Sequence, residues 1–424
     1  MPKNGDIVLV VGGGGREHAV IHALSRSPEI AELHCAPGNG GISELAICHP
    51  AVKATDIDAQ VSLAVRLQCD LVVVTPDDPL ALGLVDRLEA AGVKAFGPSA
   101  AAAKLESSKV FAKEIMNRLS IPTAAAKICS SSQEAVTFLA DCIYPIVIKA
   151  DGLAQGKGVL ICKDRTEAAQ AVTDLMENRI FGQAGNNILI EEFLTGPEVT
   201  ILCFSDGKNL LPLPSSRDHK RIGDGDTGPN TGGMGAIAPI AEVDAELQER
   251  ILNTIFQPVI AEMDRLGTPF KGVLYGGLML TDNGPYVIEF NARFGDPEAQ
   301  AVLPLVKNDL YTLFKATMAG ELDKHRLEYS GDFSCVVMMA SQGYPGQYQT
   351  GYTISGLDNV RDAFVYHSGT EKTNGQFATA GGRVLGVSAQ AGNLNSAIAK
   401  AYAELAKINF KNNVYRHDIG GSLR

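Results

Sequence analysis

The sequence predicts an α/β protein with an N-terminal doubly wound parallel sheet, a central α+β domain and a small C-terminal α+β domain. In the first hundred residues, short all-apolar runs alternate with helical patterns, which is typical of a parallel sheet covered on both faces. After Pro122, glycine loops connect strand patterns directly, which indicates hairpins. The 424 residues also exceed what one hydrophobic core usually holds, so several domains are expected.

The N-terminal part contains about four predicted strands. The first, IVLVV at 7–11, is apolar throughout and ends in glycines, as expected of a strand buried on both faces. Helical patterns then alternate with the strand patterns ELHCAP, DLVVVTP and VKAFGP. A further helical stretch at 99–119 ends at Ile121-Pro122, because proline cannot continue a helix.

The rest of the chain changes to an α+β pattern. The strand patterns YPIVIKA, GVLIC and NILIEEFL surround one helical stretch, TEAAQAVTDLMEN. A long helical pattern at 245–267 precedes two more strand patterns, KGVLYGGLML and PYVIEFNA. From about residue 330, a last unit holds the strand patterns SCVVMMAS and GGRVLGVSA and the helical pattern SAIAKAYAELAKI.

The composition argues against several functional classes. The formal net charge is −11 and the longest basic run is Lys220-Arg221, so we expect no nucleic-acid partner. No stretch approaches 18 apolar residues, so no membrane span is expected. The eight cysteines are scattered without metal-ligand spacing, which suggests a reducing compartment, and we expect a cytoplasmic protein. Small anionic substrates are not excluded, because local lysines can outweigh the overall charge.

The stretch DGLAQGKGV at 151–159 ends like a phosphate-binding P-loop but lacks its other features. Asp151 stands where the first glycine belongs, and Gly158 stands where a Ser or Thr should hold Mg²⁺. A strand pattern follows, so no helix N-terminus can receive phosphates. We expect a hairpin loop that folds over phosphates, with a plain surface hairpin as the alternative. The glycine N–H groups and lysines that suit phosphate are Lys149, Gly152, Gly156, Lys157 and Gly158.

A second glycine loop, GGGGREHA at 12–19, joins the first strand to a helix. The third glycine of a dinucleotide fingerprint would be residue 17, which is Glu, and no acidic residue closes the second strand. The loop therefore predicts an anion pocket made of backbone N–H groups rather than a dinucleotide site. A tight turn without a ligand is the alternative.

A third region, YVIEFNARFGDPE at 286–298, has the composition of a metal and phosphate site. In a strand, Glu289, Asn291 and Arg293 would share one face. Carboxylate and amide oxygens suit Mg²⁺, which takes few protein ligands and shares phosphate oxygens. Arg293 could neutralise a transferring phosphoryl group or hold a carboxylate. A solvated strand face is the alternative.

The fourth region is a polar, glycine-rich loop, DHKRIGDGDTGPNTGGMGA, at 218–236. Such a long loop inside a compact domain is usually functional or disordered. Its clustered cations and aspartates suit a substrate that carries both charges.

These segments occur together, in order, in one family. The further segments PGNGG, FGPSAAAAKLESSK, EEFLTGPE, GVLYGGLM and GGRVLG belong to the same pattern. The chain resembles the phosphoribosylamine–glycine ligases, the glycinamide ribonucleotide synthetases of purine biosynthesis, which are members of the ATP-grasp superfamily. The resemblance runs from about residue 6 to about residue 420. It implies a pre-ATP-grasp domain at 1–108, an ATP-grasp domain at 109–325 with a lid at about 125–195, and a C-terminal domain at 326–424.

The resemblance also implies a reaction and its cofactors. The carboxylate of glycine would attack the γ-phosphate of ATP, and the amine of 5-phosphoribosylamine would then displace phosphate from glycyl phosphate. ATP would be a co-substrate, and Mg²⁺ or Mn²⁺ the metal. A monomer is expected, with transient contacts to neighbouring pathway enzymes left open.

The resemblance assigns roles to particular residues. ATP would be bound by Lys109, Lys149, Gly152, Gly156, Lys157, Gly158, Glu191, Glu192, Phe193 and Glu198. The metal would be held by Glu289 and Asn291. The two other substrates would be bound by Gly14, Gly15, Arg16, Glu17, Asn39, Asp218, Lys220, Arg293 and Asp296. Of these, Asp218, Lys220 and Arg293 would be catalytic. One departure stands out, because a carboxylate that is usually Glu in the family is the shorter Asp77 here.

Three other functions stay open at this point. Two are ATP-grasp enzymes that join a different acid and amine, or that use formate. The third is a nucleotide sensor that has kept the fold and lost turnover.

Overall fold

The computed structural model describes residues 5–153 and 158–421. Within those ranges, none of the helices has both the length and the apolar character that crossing a bilayer requires. Four sheet-containing regions surround one cleft.

The N-terminal sheet is parallel throughout, with strand order β3-β2-β1-β4-β5. Its strands are β1 (Asp6–Gly12), β2 (Ile30–Pro37), β3 (Ile47–Cys48), β4 (Leu71–Val74) and β5 (Ala95–Phe96). Both faces are covered, by helices α1 (Gly15–Leu24), α2 (Ile57–Leu67), α3 (Asp77–Ala81) and α4 (Leu84–Ala90). The doubly wound prediction is confirmed. The sequence predicted about four strands, and the sheet has five. The additional strand, β3, has only two residues, too few to show an apolar run or an alternation of apolar and polar residues.

Two helical patterns are each divided into two helices. Gly83 adopts a left-handed conformation (φ +80°) and separates α3 from α4. In the 99–119 stretch, Ser108 is extended and separates α5 (Lys104–Ser107) from α6 (Lys109–Arg118). The Ser108 Oγ accepts a hydrogen bond from Phe111 N at 3.1 Å and so caps α6. Lys109 thereby becomes the first residue of a helix that borders the cleft.

A small antiparallel sheet forms the predicted lid region, with strand order β6-β9-β7-β8. Its strands are β6 (Ala126–Cys129), β7 (Ile146–Ala150), β8 (Val159–Cys162) and β9 (Ile188–Glu192). Two helices, α7 (Ser132–Phe138) and α8 (Arg165–Val172), pack on one face, and α8 continues into a π-helical turn, Thr173–Glu177. This region has a hydrophobic cluster of its own.

The central region has a second antiparallel sheet, with strand order β11-β10-β16-β17. The strands of this part of the chain are β10 (Glu198–Asp206), β11 (Leu210–Pro212), β12 (Arg217–Asp218), β13 (Arg221–Gly223), β14 (Thr227–Asn230), β15 (Gly235–Ala238), β16 (Lys271–Thr281) and β17 (Gly284–Asn291). Helices α9 (Ala245–Ile251) and α10 (Gln257–Arg265) are joined by the π-helical turn Leu252–Phe256. The β16–β17 register shifts at Gly277/Leu278.

The last sheet crosses the predicted domain limit at residue 325. Its order is β12-β15-β18-β22-β19, so two of its strands come from the central region. Its other strands are β18 (Phe333–Ser341), β19 (Phe364–His367), β22 (Arg383–Ala391) and β23 (Asn413–Val414), which pairs with β18. The strands β20 (Thr370–Thr373) and β21 (Gln376–Thr379) form a separate two-stranded sheet. The helices are α11 (Glu298–Val302), α12 (Leu310–Ala319) and α13 (Leu394–Leu405). The domain limits from the sequence stay a prediction.

A buried aromatic cluster ties these regions together beneath the cleft. Phe96 of β5 stacks on Phe314 of α12 with ring centroids 4.0 Å apart, and Phe204 of β10 meets Phe294 at 5.9 Å. Such aromatic contacts add to the energy of apolar burial. Because Phe294 follows Arg293 directly, the cluster fixes the backbone from which that side chain reaches the cleft.

Candidate active site

The regions enclose a cleft of about 1090 Å³. Most of the predicted site residues line it: Arg16, Lys109, Lys149, Gly152, Gly158, Glu191, Glu192, Phe193, Glu198, Asp218, Lys220, Glu289, Asn291, Arg293 and Asp296. Gly14, Gly15, Glu17 and Asn39 lie behind this wall. Gly156 and Lys157 lie outside the described residues.

The glycine-rich stretch joins two antiparallel strands, as Lys149 of β7 pairs with Val159 of β8. Asp151, which breaks the P-loop pattern, has a structural use. Its Oδ1 accepts hydrogen bonds from Ser108 Oγ and Val110 N, both at 3.1 Å, at the start of α6. Lys109 Nζ donates to Gly152 O at 2.9 Å. The base of the hairpin is therefore fixed to the helix that carries Lys109.

Glu191 lies at the centre of a buried ion-pair network. Its carboxylate is 2.7 Å from Lys149 Nζ and 2.9 Å from Lys113 Nζ, and all three side chains are at most 6% exposed. Lys149 also donates to Ile288 O at 2.9 Å, and Lys113 to Thr123 Oγ1 at 2.7 Å. Burial opposes ionisation of Glu191, but the two lysines outweigh it and hold its pKa below the ordinary value.

The cleft next to this network has apolar walls that suit a planar base. They consist of Ala112, Met116, Ala124, Val147, Val159, Ile161, Leu189 and Phe193. The Glu192 carboxylate is turned away, towards Ala125 N at 2.9 Å. Glu198 lies at the far end, where its carboxylate is 3.0 Å from Lys220 Nζ.

Glu289 and Asn291 lie at the end of β17 with their side chains on the cleft. Within 5–153 and 158–421, neither side chain has a hydrogen-bond or ion-pair partner. Burial alone would raise the pKa of Glu289, but neighbouring cationic side chains outweigh it and lower the pKa. They are Lys220, Lys109, Lys149 and Arg293. A charged carboxylate and an amide oxygen, both without protein partners, are donors of the kind Mg²⁺ takes.

Arg293 lies just after β17, in a pocket of acidic residues. Its Nη2 is 2.9 Å from Glu106 Oε1, whereas its buried Nε has no partner in the described part of the chain. Burial opposes the charge of Arg293, but Glu106 and Asp77 raise its pKa above the ordinary value. Asp77 lines the same pocket. Burial opposes its ionisation, but Arg293 and Arg16 lower its pKa.

Asp218 and Lys220 approach the same part of the cleft from β12 and the turn that follows it. Burial and the neighbouring Glu298 raise the pKa of Asp218 well above its ordinary value. Its Oδ1 is buried and unpartnered among the residues that the structure describes. Burial works against the charge of Lys220, but Glu198 and other acidic groups raise its pKa. Gly233 (φ +107°) lies close to Asp218, since a Cβ there would be 2.6 Å from its Oδ1.

The GGGG loop forms the start of α1. Glu17 Oε2 accepts a hydrogen bond from Gly14 N at 2.7 Å, and its Oε1 accepts bonds from Arg16 Nε at 2.6 Å and Thr75 Oγ1 at 2.8 Å. Glu17 is therefore a capping residue that also orients Arg16. A Cβ on Gly15 would be 2.4 Å from Gln300 Nε2, so a larger residue there would have to displace that amide.

Asn39 and Asp296 connect this loop to the last sheet. The Asn39 amide donates to Gly13 O at 2.9 Å and to His367 O at 2.8 Å. Asp296 is 3.3 Å from Arg383, whose Nη1 also donates to Asp296 O at 2.8 Å.

Among the cleft residues that sequence reasoning missed are Glu106, Lys113, Tyr275 and Arg383. Lys113 lies on a helical pattern in which one charged residue looks like any other. Segments that the family resemblance already contained could have identified the other three: FGPSAAAAKLESSK contains Glu106, GVLYGGLM contains Tyr275 and GGRVLG contains Arg383.

Comparison with known proteins agrees with this arrangement. Three family models match: phosphoribosylglycinamide synthetase N domain at 6–106, ATP-grasp (A) domain at 107–299 and C domain at 334–422. The chain belongs to the phosphoribosylglycinamide synthetase family. It is accordingly an ATP-dependent, ATP-grasp ligase of purine biosynthesis, as the resemblance predicted.

Curated relatives of this synthetase family match over nearly the full chain. Phosphoribosylamine–glycine ligase of Caldanaerobacter subterraneus subsp. tengcongensis is 47% identical, over 97% of this chain and 99% of the relative. The human trifunctional purine biosynthetic protein adenosine-3 is 45% identical over 97% of this chain, which spans only 41% of that protein.

Solved structures show the same relationship. Phosphoribosylamine–glycine ligase from Thermotoga maritima has a TM-score of 0.86 and 32% identity, covering 97% of this chain and 100% of that one. A biotin carboxylase domain from Hydrogenobacter thermophilus has a TM-score of 0.74, at 18% identity over 97% of this chain and 91% of that one. This second likeness concerns the fold alone.

Proposed function

We propose that the chain joins glycine to 5-phosphoribosylamine, with conversion of ATP to ADP and phosphate, through glycyl phosphate. The observation that carries the proposal is the cleft's electrostatic layout. Lys109, Lys149, Lys220 and Arg293 surround one carboxylate, Glu289, that has no partner in the described ranges. Such a site suits transfer of a phosphoryl group, because charge on its oxygens must be neutralised.

The first step is activation of glycine. A carboxylate oxygen of glycine attacks the γ-phosphorus, the bond to the β–γ bridging oxygen breaks, and ADP leaves. The unpartnered Arg293 Nε and Asp218 Oδ1 suit the two ends of glycine, its carboxylate and its ammonium. Binding of that ammonium would lower the pKa of Asp218, which burial now raises.

Glu289 and Asn291 are the residues that would hold Mg²⁺ or Mn²⁺. Two protein oxygens suffice, because Mg²⁺ keeps several waters and shares phosphate oxygens. When bound, the metal would neutralise phosphate charge during transfer. The lysines at the start of α6 and the end of β7 would bind the same phosphates and orient them.

The second step joins the two substrates. The amine nitrogen of phosphoribosylamine attacks the acyl carbon, phosphate leaves with the bonding electrons, and the amine loses a proton. Arg16, which follows the GGGG loop and lines the cleft, suits the sugar phosphate as a cation. Glu17 and Asn39 would act behind Arg16, by holding the GGGG loop in place.

Release of ADP and phosphate by the purified protein tests the proposal. We expect release only when glycine, phosphoribosylamine, ATP and Mg²⁺ are all present. Release with another acid or with formate in place of glycine would favour the sister ligases. Tight ATP binding with no turnover would favour the nucleotide sensor.

A further inference from the structure

The β13–β14 hairpin, which follows Lys220, is held by a distant part of the chain. Its turn comprises residues 224–226, of which Gly225 (φ +67°) and Asp226 (φ +54°) are left-handed. Residues 415–420, here named the clasp segment, contact each of the three turn residues. His417 N donates to Asp224 Oδ1 at 2.7 Å, and Gly225 N donates to Asp418 Oδ2 at 2.8 Å.

Arg416 forms the centre of this contact. Its side chain is 0% exposed, and its Nε and Nη2 each donate to Asp418 at 2.7 Å. Its Nη1 donates to Asp226 Oδ1 at 2.6 Å and to Arg221 O at 3.2 Å. One guanidinium therefore binds the turn and the first strand of the hairpin together. Bidentate, charge-assisted hydrogen bonds of this kind fix geometry as well as adding energy.

The clasp segment is itself fixed to the last sheet and its helix. Tyr402 of α13 donates from its hydroxyl to Arg416 O at 2.7 Å and accepts from Ile419 N at 3.0 Å. Gly420 N donates to His219 Nε2 at 3.2 Å, beside Asp218 and Lys220. The clasp segment thus links α13 to His219 and to the turn of the hairpin.

The hairpin forms one wall of the cleft. Lys220, Arg221, Asp226 and Asn230 all line it, and Thr231 N donates to Lys220 O at 2.7 Å. The hairpin itself pairs β13 only with β14, outside the larger sheets. An isolated two-stranded hairpin is marginally stable in water, so contacts from elsewhere must keep it in place.

We propose that Arg416 is a positioning residue, which holds the β13–β14 hairpin in the conformation that brings Lys220 and its neighbours to the substrates. The inference rests on the proposed function for its kinetic consequence. Its structural consequence, order in the hairpin, does not depend on turnover. Arg416 contacts neither Glu289 nor Asn291 and is not among the residues that line the cleft, so we expect it to act through the hairpin.

Hydrogen exchange of the amides in 221–230 tests the structural consequence. In Arg416→Lys, which keeps the charge but not the fork, we expect exchange there to accelerate about tenfold, the scale of one lost charge-assisted hydrogen bond. Asp224→Ala serves as the second variant, because its side chain is about half exposed and its loss buries no charge. Asp282→Ala, in the exposed β16–β17 turn, is the matched control and should leave exchange unchanged.

Steady-state kinetics test the functional consequence. Arg416→Lys and Asp224→Ala should each raise the KM for glycine about tenfold and change kcat less than threefold, since saturating glycine can order the hairpin again. Unchanged exchange in 221–230 in Asp224→Ala and in any folded Arg416→Lys protein would overturn the proposal. So would faster exchange with an unaltered KM. If the unsubstituted protein shows no glycine-dependent turnover, the proposed function fails while the exchange result still stands.

Discussion

Two carboxylates in the cleft, Glu191 and Glu289, both lie near lysines, but only Glu191 forms ion pairs with them in the described part of the chain. Lysines hold the pKa of each below its ordinary value. Glu191 is buried and has lysine partners at 2.7 and 2.9 Å. Glu289 is only partly buried and has no partner among the described residues. The cleft therefore contains one acid whose charge is used by the fold and another whose charge is left for a ligand.

The comparison shows that a lowered pKa does not by itself identify a functional group. Ion pairs that serve the fold also shift pKa values, as catalytic sites do. The two cases differ in whether the carboxylate oxygens have protein partners: those of Glu191 do, and those of Glu289 face the cleft without one among the described residues.

The largest effect on stability is expected at Glu191. Glu191→Gln leaves Lys113 and Lys149 buried without their counter-charge, which should lower the free energy of unfolding by about 3–5 kcal/mol. Urea unfolding at pH 7 measures this change. Glu192→Gln is the matched control, because its carboxylate is exposed, and it should stay within about 0.5 kcal/mol. Equal stability of the two variants would contradict the division drawn here.

Glu289→Gln should affect mainly the rate of the reaction rather than the stability of the fold. We expect the rate to fall by about 10²–10³, the scale of one preorganised electrostatic group, with a smaller loss in the free energy of unfolding than in Glu191→Gln. Mg²⁺ should raise the Tm of the unsubstituted protein in the presence of an ATP analogue, but not that of the variant. Glu246→Gln, on the exposed side of α9, provides the control. A rate loss below about threefold would exclude the metal role.

A smaller, pH-dependent effect is expected at Asp418. Hydrogen bonds from Arg416 lower its pKa from 3.8 to about 2. The charged form therefore stabilises the fold above pH 3.8, and this contribution is lost as the pH falls through 2. Asp418→Asn should cost about 1 kcal/mol at pH 7, because partial exposure screens the pair. Urea unfolding should show a smaller difference from the unsubstituted protein at pH 3; the same difference at both pH values would argue against this origin.

The sequence predicted those parts of the site that lie in short, regular stretches. Glu289 and Asn291 follow a strand period of two, and the glycine loops have few conformations open to them. Lys113 could not be found in this way, because its partner Glu191 is 78 positions away and only the packing of α6 against β9 brings them together.

The fold was predictable where the runs of apolar residues are long. The parallel sheet and the lid hairpin were readable from their runs, whereas β12 to β15 were taken as one loop. These strands are only two to four residues long, too short to show an alternation of apolar and polar residues, so they could not be recognised from the sequence. Arg416 was missed because its partner Asp226 is 190 positions away.

The pairing of β15 with β18 also limits how this protein can be divided or recombined. Gly235–Ala238 pairs with Val337 to Ser334, so a cut near residue 325 would separate two hydrogen-bonded strands. A fragment that ended there would expose the edge of β15 beside Asp218, with unpaired backbone groups open to association. Exchange of modules between such ligases would therefore have to keep β15 and β18 in the same piece.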